Sequence, residues 1–222
     1  MTERILTGRR RLLLLALPVL LPACLAPAFP AAAGALGREA GYLAGFALYW
    51  LACLAAPLLI LRPAGLRALF AEPRPLFSRA NRLPAALLIL IVAVAAALYL
   101  PGFAAAPWPL LALALPVAAV NGLCEEVFWR GLYTAAFPRS FWLGVLYPSL
   151  AFAAWHLVPQ LVFPDPGGPL TFAAMTFPLG LAYAWITART GSVRWAALAH
   201  GLTGFLALGG AIAPSLLSLI WP

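Results

Sequence analysis

The chain has no lysine, and only six of its 222 residues are acidic. Fourteen arginines carry all of its permanent positive charge, for a formal net charge of +8. Charged residues make up 9% of the sequence against 64% hydrophobic ones, and the mean hydropathy is +0.97. A water-soluble domain needs a charged, mixed surface that this composition cannot supply, which excludes one. The apolar runs are continuous and lack period-two alternation, which argues against a transmembrane β-barrel. Cysteine is scarce: Cys24, Cys53 and Cys124 all lie in apolar segments and indicate no disulfide framework. The basic charge is not interleaved with aromatics, and no binding motif accompanies it, so the sequence implies no nucleic-acid partner.

What remains is lipid-compatible sequence. A membrane span needs about 20 predominantly apolar residues, and the chain divides into runs of that order. They cover 12–33, 42–61, 83–100, 108–128 (with helix continuing to 137), 141–163, 170–188 and 195–208. Residues 209–222 extend the last run or form a short eighth segment. The reading is therefore an all-α, polytopic transmembrane helical bundle of seven to eight spans. Residues 1–107 form an N-terminal set of three spans, and 108–222 the functional core. Proline and glycine punctuate the joins, notably at Pro101-Gly102, Pro164-Asp165-Pro166-Gly167-Gly168-Pro169 and Gly191-Ser192.

Arginine placement sets the expected orientation. Arg4, Arg9, Arg10 and Arg11 precede the first run, and Arg62, Arg67, Arg74, Arg79 and Arg82 fill the longest polar loop. With the N-terminus cytoplasmic, the loops carrying Arg62 to Arg82, Arg139, and Arg189 with Arg194 also face the cytoplasm, as positive charge in short loops requires. A bacterial inner membrane is the expected location. The segment Leu21-Pro22-Ala23-Cys24 has some likeness to a lipoprotein cleavage box, but the apolar run continues past it to Ala33, which reads as a retained first span.

Two of the six acidic residues, Glu125 and Glu126, are adjacent in the middle of this apolar sequence. An ionisable group at membrane depth costs at least about 2.5–3.5 kcal/mol and marks a proton, ion or substrate site. Glu126 and Arg130 are spaced to share a helix face with the carboxylate N-terminal, the favourable order. Glu125 points about 100° away from that pair and reads as the free carboxylate. The only two histidines, His156 and His200, fall on two further segments. Counting from the turn at Arg139, Glu125 and His156 lie roughly 21 and 25 Å along antiparallel helices, hence at similar depth. His200 sits roughly 10–15 Å from its own loop, and needs helix tilt or a shortened span to come level. A carboxylate beside imidazoles can activate water, and the same Glu125, His156 and His200 can hold a divalent metal such as zinc. Cys124 is adjacent to Glu125 on the helix and does not share its direction, which disfavours a thiolate site.

The order Glu125-Glu126-x-x-x-Arg130, Phe152-x-x-x-His156 and a late His200 resembles the three motifs of the CAAX-protease and bacteriocin-processing (CPBP, or Abi) intramembrane peptidases, over about residues 108–210. The resemblance implies Glu125 as general base, His156 as its partner on the water and His200 as oxyanion stabiliser. It makes Glu126 and Arg130 a supporting ion pair, with Phe152 beside them. It also implies a membrane-associated or lipidated peptide as substrate, and leaves the metal-dependent and metal-free mechanisms both open. One position departs: the third motif ordinarily places Asn or Asp four residues after its histidine, where this chain has Gly204. Thr203, one residue earlier, is a substitute hydroxyl. Two other function classes stay in view. One is a proton-coupled transporter or a haem protein ligated by the two histidines, and the other an inactive immunity or scaffold member of the family.

Overall fold

The computed structural model describes residues 8–221. Arg4 of the N-terminal arginine group lies outside them. Among the described residues there is no strand, so the all-helical reading holds. The helices are α1 (Arg9–Leu36), α2 (Arg38–Ala68), α3 (Arg82–Ala104), α4 (Trp108–Glu126), α5 (Tyr133–Ala136), α6 (Tyr147–Trp155), α7 (Pro169–Thr190), α8 (Arg194–Leu206) and α9 (Ile212–Ile220). A π-helical turn, Val127–Leu132, joins α4 to α5 without a break.

Five segments are long and apolar enough to cross a membrane: Arg10–Leu36, Arg38–Ala68, Arg79–Ala105, Trp108–Ala136 and Pro169–Thr190. The protein is integral to a membrane. The expected count of seven to eight spans is not reached by single helices of that length among the described residues. The run expected over 141–163 is broken into a π turn at Trp142–Leu146, the nine-residue α6, and a 3-10 turn at Pro159–Leu161. Pro148 opens α6, and Pro159 lacks the N–H that would continue it. The run expected over 195–208 yields only 13 residues of helix in α8. It stops because Leu208, Gly209 and Gly210 all take positive φ, of 57°, 69° and 60°. That backbone region is rare for residues with a side chain and cannot extend a right-handed helix.

α4 is the axis of the assembly. It packs along α8 and also meets α2 and α9, while α3 and α7 pack on α8, and α1 lies along α2. The α4–α8 contact is close because both helices present small residues. A methyl group built on Gly122 would stand 2.7 Å from the backbone nitrogen of Gly201 and 3.2 Å from the carbonyl carbon of His200. Without a hydrophobic drive between helices in lipid, such backbone proximity is what holds them together. Gly204 belongs to the same seam, with Ala118 Cβ 3.4 Å from where its own Cβ would be. This chain therefore uses its departure from the third motif as a packing position.

At one end of the bundle, the α2–α3 loop is tied to α7 and α8. Arg74 donates from Nε to the Arg189 carbonyl (2.6 Å) and from Nη2 to the Ala188 carbonyl (2.9 Å). Glu72 accepts from Trp195 Nε1 at 2.6 Å and pairs with Arg194 at 3.7 Å.

Candidate active site

Glu125 and Glu126 are the last two residues of α4, directly before the π turn that carries Arg130. Single π turns inside α-helices occur mostly at functional sites, because the wider turn re-aims side chains. All three side chains are sealed from solvent, none being more than 2% exposed. Arg130 Nε lies 3.2 Å from Glu126 Oε2, the ion pair that the i, i+4 spacing predicts. The face of the Arg130 guanidinium rests 3.9 Å over the Phe152 ring, and its Nη1 and Nη2 have no hydrogen-bond partner. A cation over an aromatic face in a dry setting is worth on the order of 2 kcal/mol. Phe152 is therefore more than packing, because it supplies the second support for a buried charge.

α8, which brings His200 level with the carboxylates, packs closely on α4. It begins at Arg194, so His200 is about 9 Å from that end along the helix axis. Its ring reaches both glutamates: Nδ1 is 2.9 Å from Glu126 Oε1, and Nε2 is 3.4 Å from Glu125 Oε2. Tyr183 of α7 stacks on the same ring, with centroids 5.7 Å apart and planes 19° apart. Glu125, expected to be unpartnered, is not. Its Oε1 accepts from Tyr49 Oη at 3.0 Å and from Trp155 Nε1 at 3.3 Å. The Tyr49 hydroxyl in turn accepts from Trp129 Nε1 at 2.7 Å, and its ring stacks on Trp155 at 3.7 Å.

His156 caps the C-terminal end of α6, half-buried, with Nδ1 2.8 Å from the Phe152 carbonyl. A carbonyl only accepts, so Nδ1 carries the proton and the neutral ring presents an unprotonated Nε2. The His156 ring packs edge-on to Phe152 at 4.4 Å, and Phe152 is also 6.3 Å from the His200 ring. Phe152 is thus the common neighbour of both imidazoles and Arg130. Thr203 directs its hydroxyl to the His200 carbonyl at 3.1 Å. That bond is internal to α8 and holds the hydroxyl on its own helix.

The structure gathers Glu125, Glu126, Arg130, Phe152, His156 and His200 in one place. It links them differently from the expectation: His200, not His156, is the imidazole in contact with the carboxylates. Asn121 accepts an interhelical hydrogen bond from Trp50 Nε1 at 2.8 Å and belongs to packing. Sequence reasoning missed Tyr49, Trp129, Trp155 and Tyr183. Tyr49 lies on α2, outside the segment that carries the motifs, and nothing in its spacing ties it to Glu125. Trp129 and Trp155 stand within or beside the motifs, and an indole N–H buried next to a carboxylate was the available signal.

In this arrangement both ring nitrogens of His200 face carboxylate oxygens, while His156, with Nδ1 on a carbonyl, keeps Nε2 free in the manner of a metal-ligating imidazole. Among the described residues, no three His, Cys, Asp or Glu side chains are grouped to hold an ion.

Residues 106–206 match the family described as type II CAAX prenyl endopeptidase Rce1-like. The matched segment is a little under half of the 222-residue chain and contains both carboxylates and both histidines. Comparison with curated proteins and with solved structures returned no match. The resemblance read from the three motifs is borne out over that segment, which is of a protease family.

Proposed function

We propose that this membrane protein is an endopeptidase that hydrolyses a peptide bond of a membrane-associated, lipidated peptide, using water activated by Glu125. The observation that carries this reading is the contact of His200 with Glu125, with His156 adjoining across Phe152, inside a segment that matches the Rce1-like family. Prenyl endopeptidases act on lipid-modified protein tails, so the substrate class is a peptide whose anchor already resides in the bilayer.

Charge accounting supports an ionised Glu125. With His200 protonated on both nitrogens, Glu125 and Glu126 face one guanidinium and one imidazolium, and the buried cluster is neutral. A buried charge left without a partner costs several kcal/mol, so each of the four groups depends on the others. The Tyr49 and Trp155 donors fix Glu125 Oε1, leaving Oε2 as the oxygen that meets the reactants.

A water that donates one hydrogen to Glu125 Oε2 and the other to His156 Nε2 is held with its lone pair directed at a peptide carbonyl. Glu125 takes the proton as the water oxygen bonds to the carbonyl carbon, and the carbonyl electron pair moves onto its oxygen. Collapse of that tetrahedral species breaks the C–N bond. The proton returns from Glu125 to the leaving amine, and the carboxylate is regenerated. No donor for the oxyanion is assigned to Gly204, which has no side chain. His200 holds Glu125 and Glu126 apart and paired. On this reading it acts through Glu125, in place of the oxyanion role that the family resemblance implies.

The test is cleavage of a lipidated peptide by the purified protein in a bilayer mimetic. Glu125→Gln, His156→Ala and His200→Ala should each lower turnover by about 10²–10⁴, the range for losing a general acid or base. Their thermal melts should remain cooperative. Full activity in folded Glu125→Gln overturns the mechanism.

A further inference from the structure

Away from the carboxylates, the arginine-bearing end of the bundle contains a cavity of about 400 Å³, bounded by Arg79, Arg82, Leu83, Pro84, Trp185 and Arg189 among others. It lies where α3 begins and α7 ends, the two spans meeting at the same membrane surface. Its size falls within the range of small-molecule sites. Three guanidiniums border it, no acidic residue lines it, and among the described residues none of the three has a carboxylate within 4.0 Å.

The wall of this cavity is built. Arg189 donates from Nη2 to the Ala80 carbonyl at 3.1 Å, and Arg74 clamps the Arg189 and Ala188 carbonyls from the other side. Asn81 is 2% exposed, and its amide donates to the carbonyls of Arg74 and Pro75 at 3.3 and 3.0 Å. These bonds fix the α2–α3 loop against the end of α7, so the three arginines are gathered by the backbone.

All three arginines are exposed, so solvent screens their repulsion and leaves their donors open to an anion. The first turn of α3 has no acidic residue and no side-chain cap, and its first residue is Arg82. A helix N-terminus carries about half a positive charge, so Arg82 adds like charge to like. An anion in the cavity offsets both the dipole and the arginines. Guanidinium is the group best matched to phosphate, through paired N–H donors. The remaining boundary is interfacial: Leu83 is 65% exposed toward the lipid side of α3, and Trp185 is half-buried on α7. Tryptophan is enriched at the headgroup level of membranes, and basic pockets between membrane helices hold anionic headgroups.

We infer that Arg79, Arg82 and Arg189, with Trp185, form a binding site for the phosphate of an anionic phospholipid headgroup, its acyl chains lying along Leu83. The occupant would contact α7 at Trp185 and Arg189, two and six residues from Tyr183, which stacks on His200. The lipid would thereby brace the helix that packs on the His200 imidazole.

Native mass spectrometry of the full chain in detergent, titrated with phosphatidylglycerol or phosphatidylcholine, tests this. Phosphatidylglycerol should bind more tightly to the wild type. Each of Arg79→Gln, Arg82→Gln and Arg189→Gln should weaken it several-fold, and the triple variant on the order of a hundredfold, at about a kcal/mol per arginine. Arg67→Gln, at an exposed arginine in the last turn of α2 outside the cavity, should leave binding unchanged. Should the triple variant not fold, the single variants carry the result. Equal affinity for the two lipids, or unchanged binding in all three single variants, overturns the proposal. Inorganic phosphate displacing phosphatidylglycerol at equal concentration would assign the cavity to a soluble anion and overturn the lipid.

Discussion

The imidazole of His200 stands between two carboxylates, Nδ1 at 2.9 Å from Glu126 and Nε2 at 3.4 Å from Glu125. This one side chain couples the ion pair Glu126–Arg130 to the carboxylate proposed as base. Removing His200 therefore withdraws positive charge from both glutamates, whereas removing His156 takes away only the acceptor on the water. His200→Ala should lose stability as well as turnover, by about 3–5 kcal/mol if the carboxylates stay charged. His156→Ala should lower kcat with little change in Tm. Thermal melts run beside peptide cleavage separate the two, and equal melts for both variants would contradict the linkage.

Tyr49 makes a further prediction because it lies on α2, outside the Rce1-like segment. Tyr49→Phe keeps the stack on Trp155 but removes a donor to Glu125 and the acceptor for Trp129 Nε1. Leaving such buried groups unsatisfied costs about 1–3 kcal/mol. Glu125 should then be less fixed, so kcat falls with KM unchanged. A pure packing role for Tyr49 predicts a Tm loss with full kcat, and steady-state kinetics distinguish the two.

Arg130 has the largest expected effect on folding. Its guanidinium neutralises Glu126 and rests on Phe152, and Gly180 passes close enough that a methyl there would meet Nη2 at 3.4 Å. Arg130→Ala leaves Glu125 and Glu126 to share the single cation of His200 away from solvent and should cost about 3–5 kcal/mol. Replacing both members, with Glu126→Gln and Arg130→Met, should recover much of that stability, since no charge is left unpaired. A double-mutant cycle on unfolding free energy measures the coupling, and additivity would show the pair to be independent.

Gly122 sets the distance between α4 and α8. A Cβ at Gly122 meets backbone atoms of Gly201 and His200, which cannot turn aside as a flexible side chain would. Gly122→Ala should cost about 1–3 kcal/mol by overpacking. It should also lower activity, because the displaced backbone is that of His200. Gly204→Ala, whose methyl would make ordinary contact with Ala118, should be tolerated in the same melting and cleavage assays.

Because no three His, Cys, Asp or Glu side chains are grouped to hold an ion among the described residues, treatment with a chelator should leave cleavage intact. Activity lost to the chelator and restored by zinc would show that these side chains rearrange around an ion.

Composition and hydropathy by themselves determined that the chain is a helical membrane protein. The i, i+4 spacing also indicated that Glu126 pairs with Arg130, and the scarcity of ionisable groups singled out Glu125, His156 and His200 as candidates. These are local properties: the transfer cost of each side chain, and the 3.6-residue helical period that places i and i+4 together. The number of true spans was not legible, because hydropathy does not register where Pro148, Pro159 and the positive φ values at 208–210 stop a helix. Nor was the partner of Glu125. Tyr49 is 76 residues away, and His200 reaches both glutamates because Gly122 lets α8 approach α4 closely. Such pairings depend on how helices dock, and docking is fixed by shape across the bundle, which only the tertiary structure decides. Glu125, free by sequence, has three partners once the helices meet: Tyr49, Trp155 and His200.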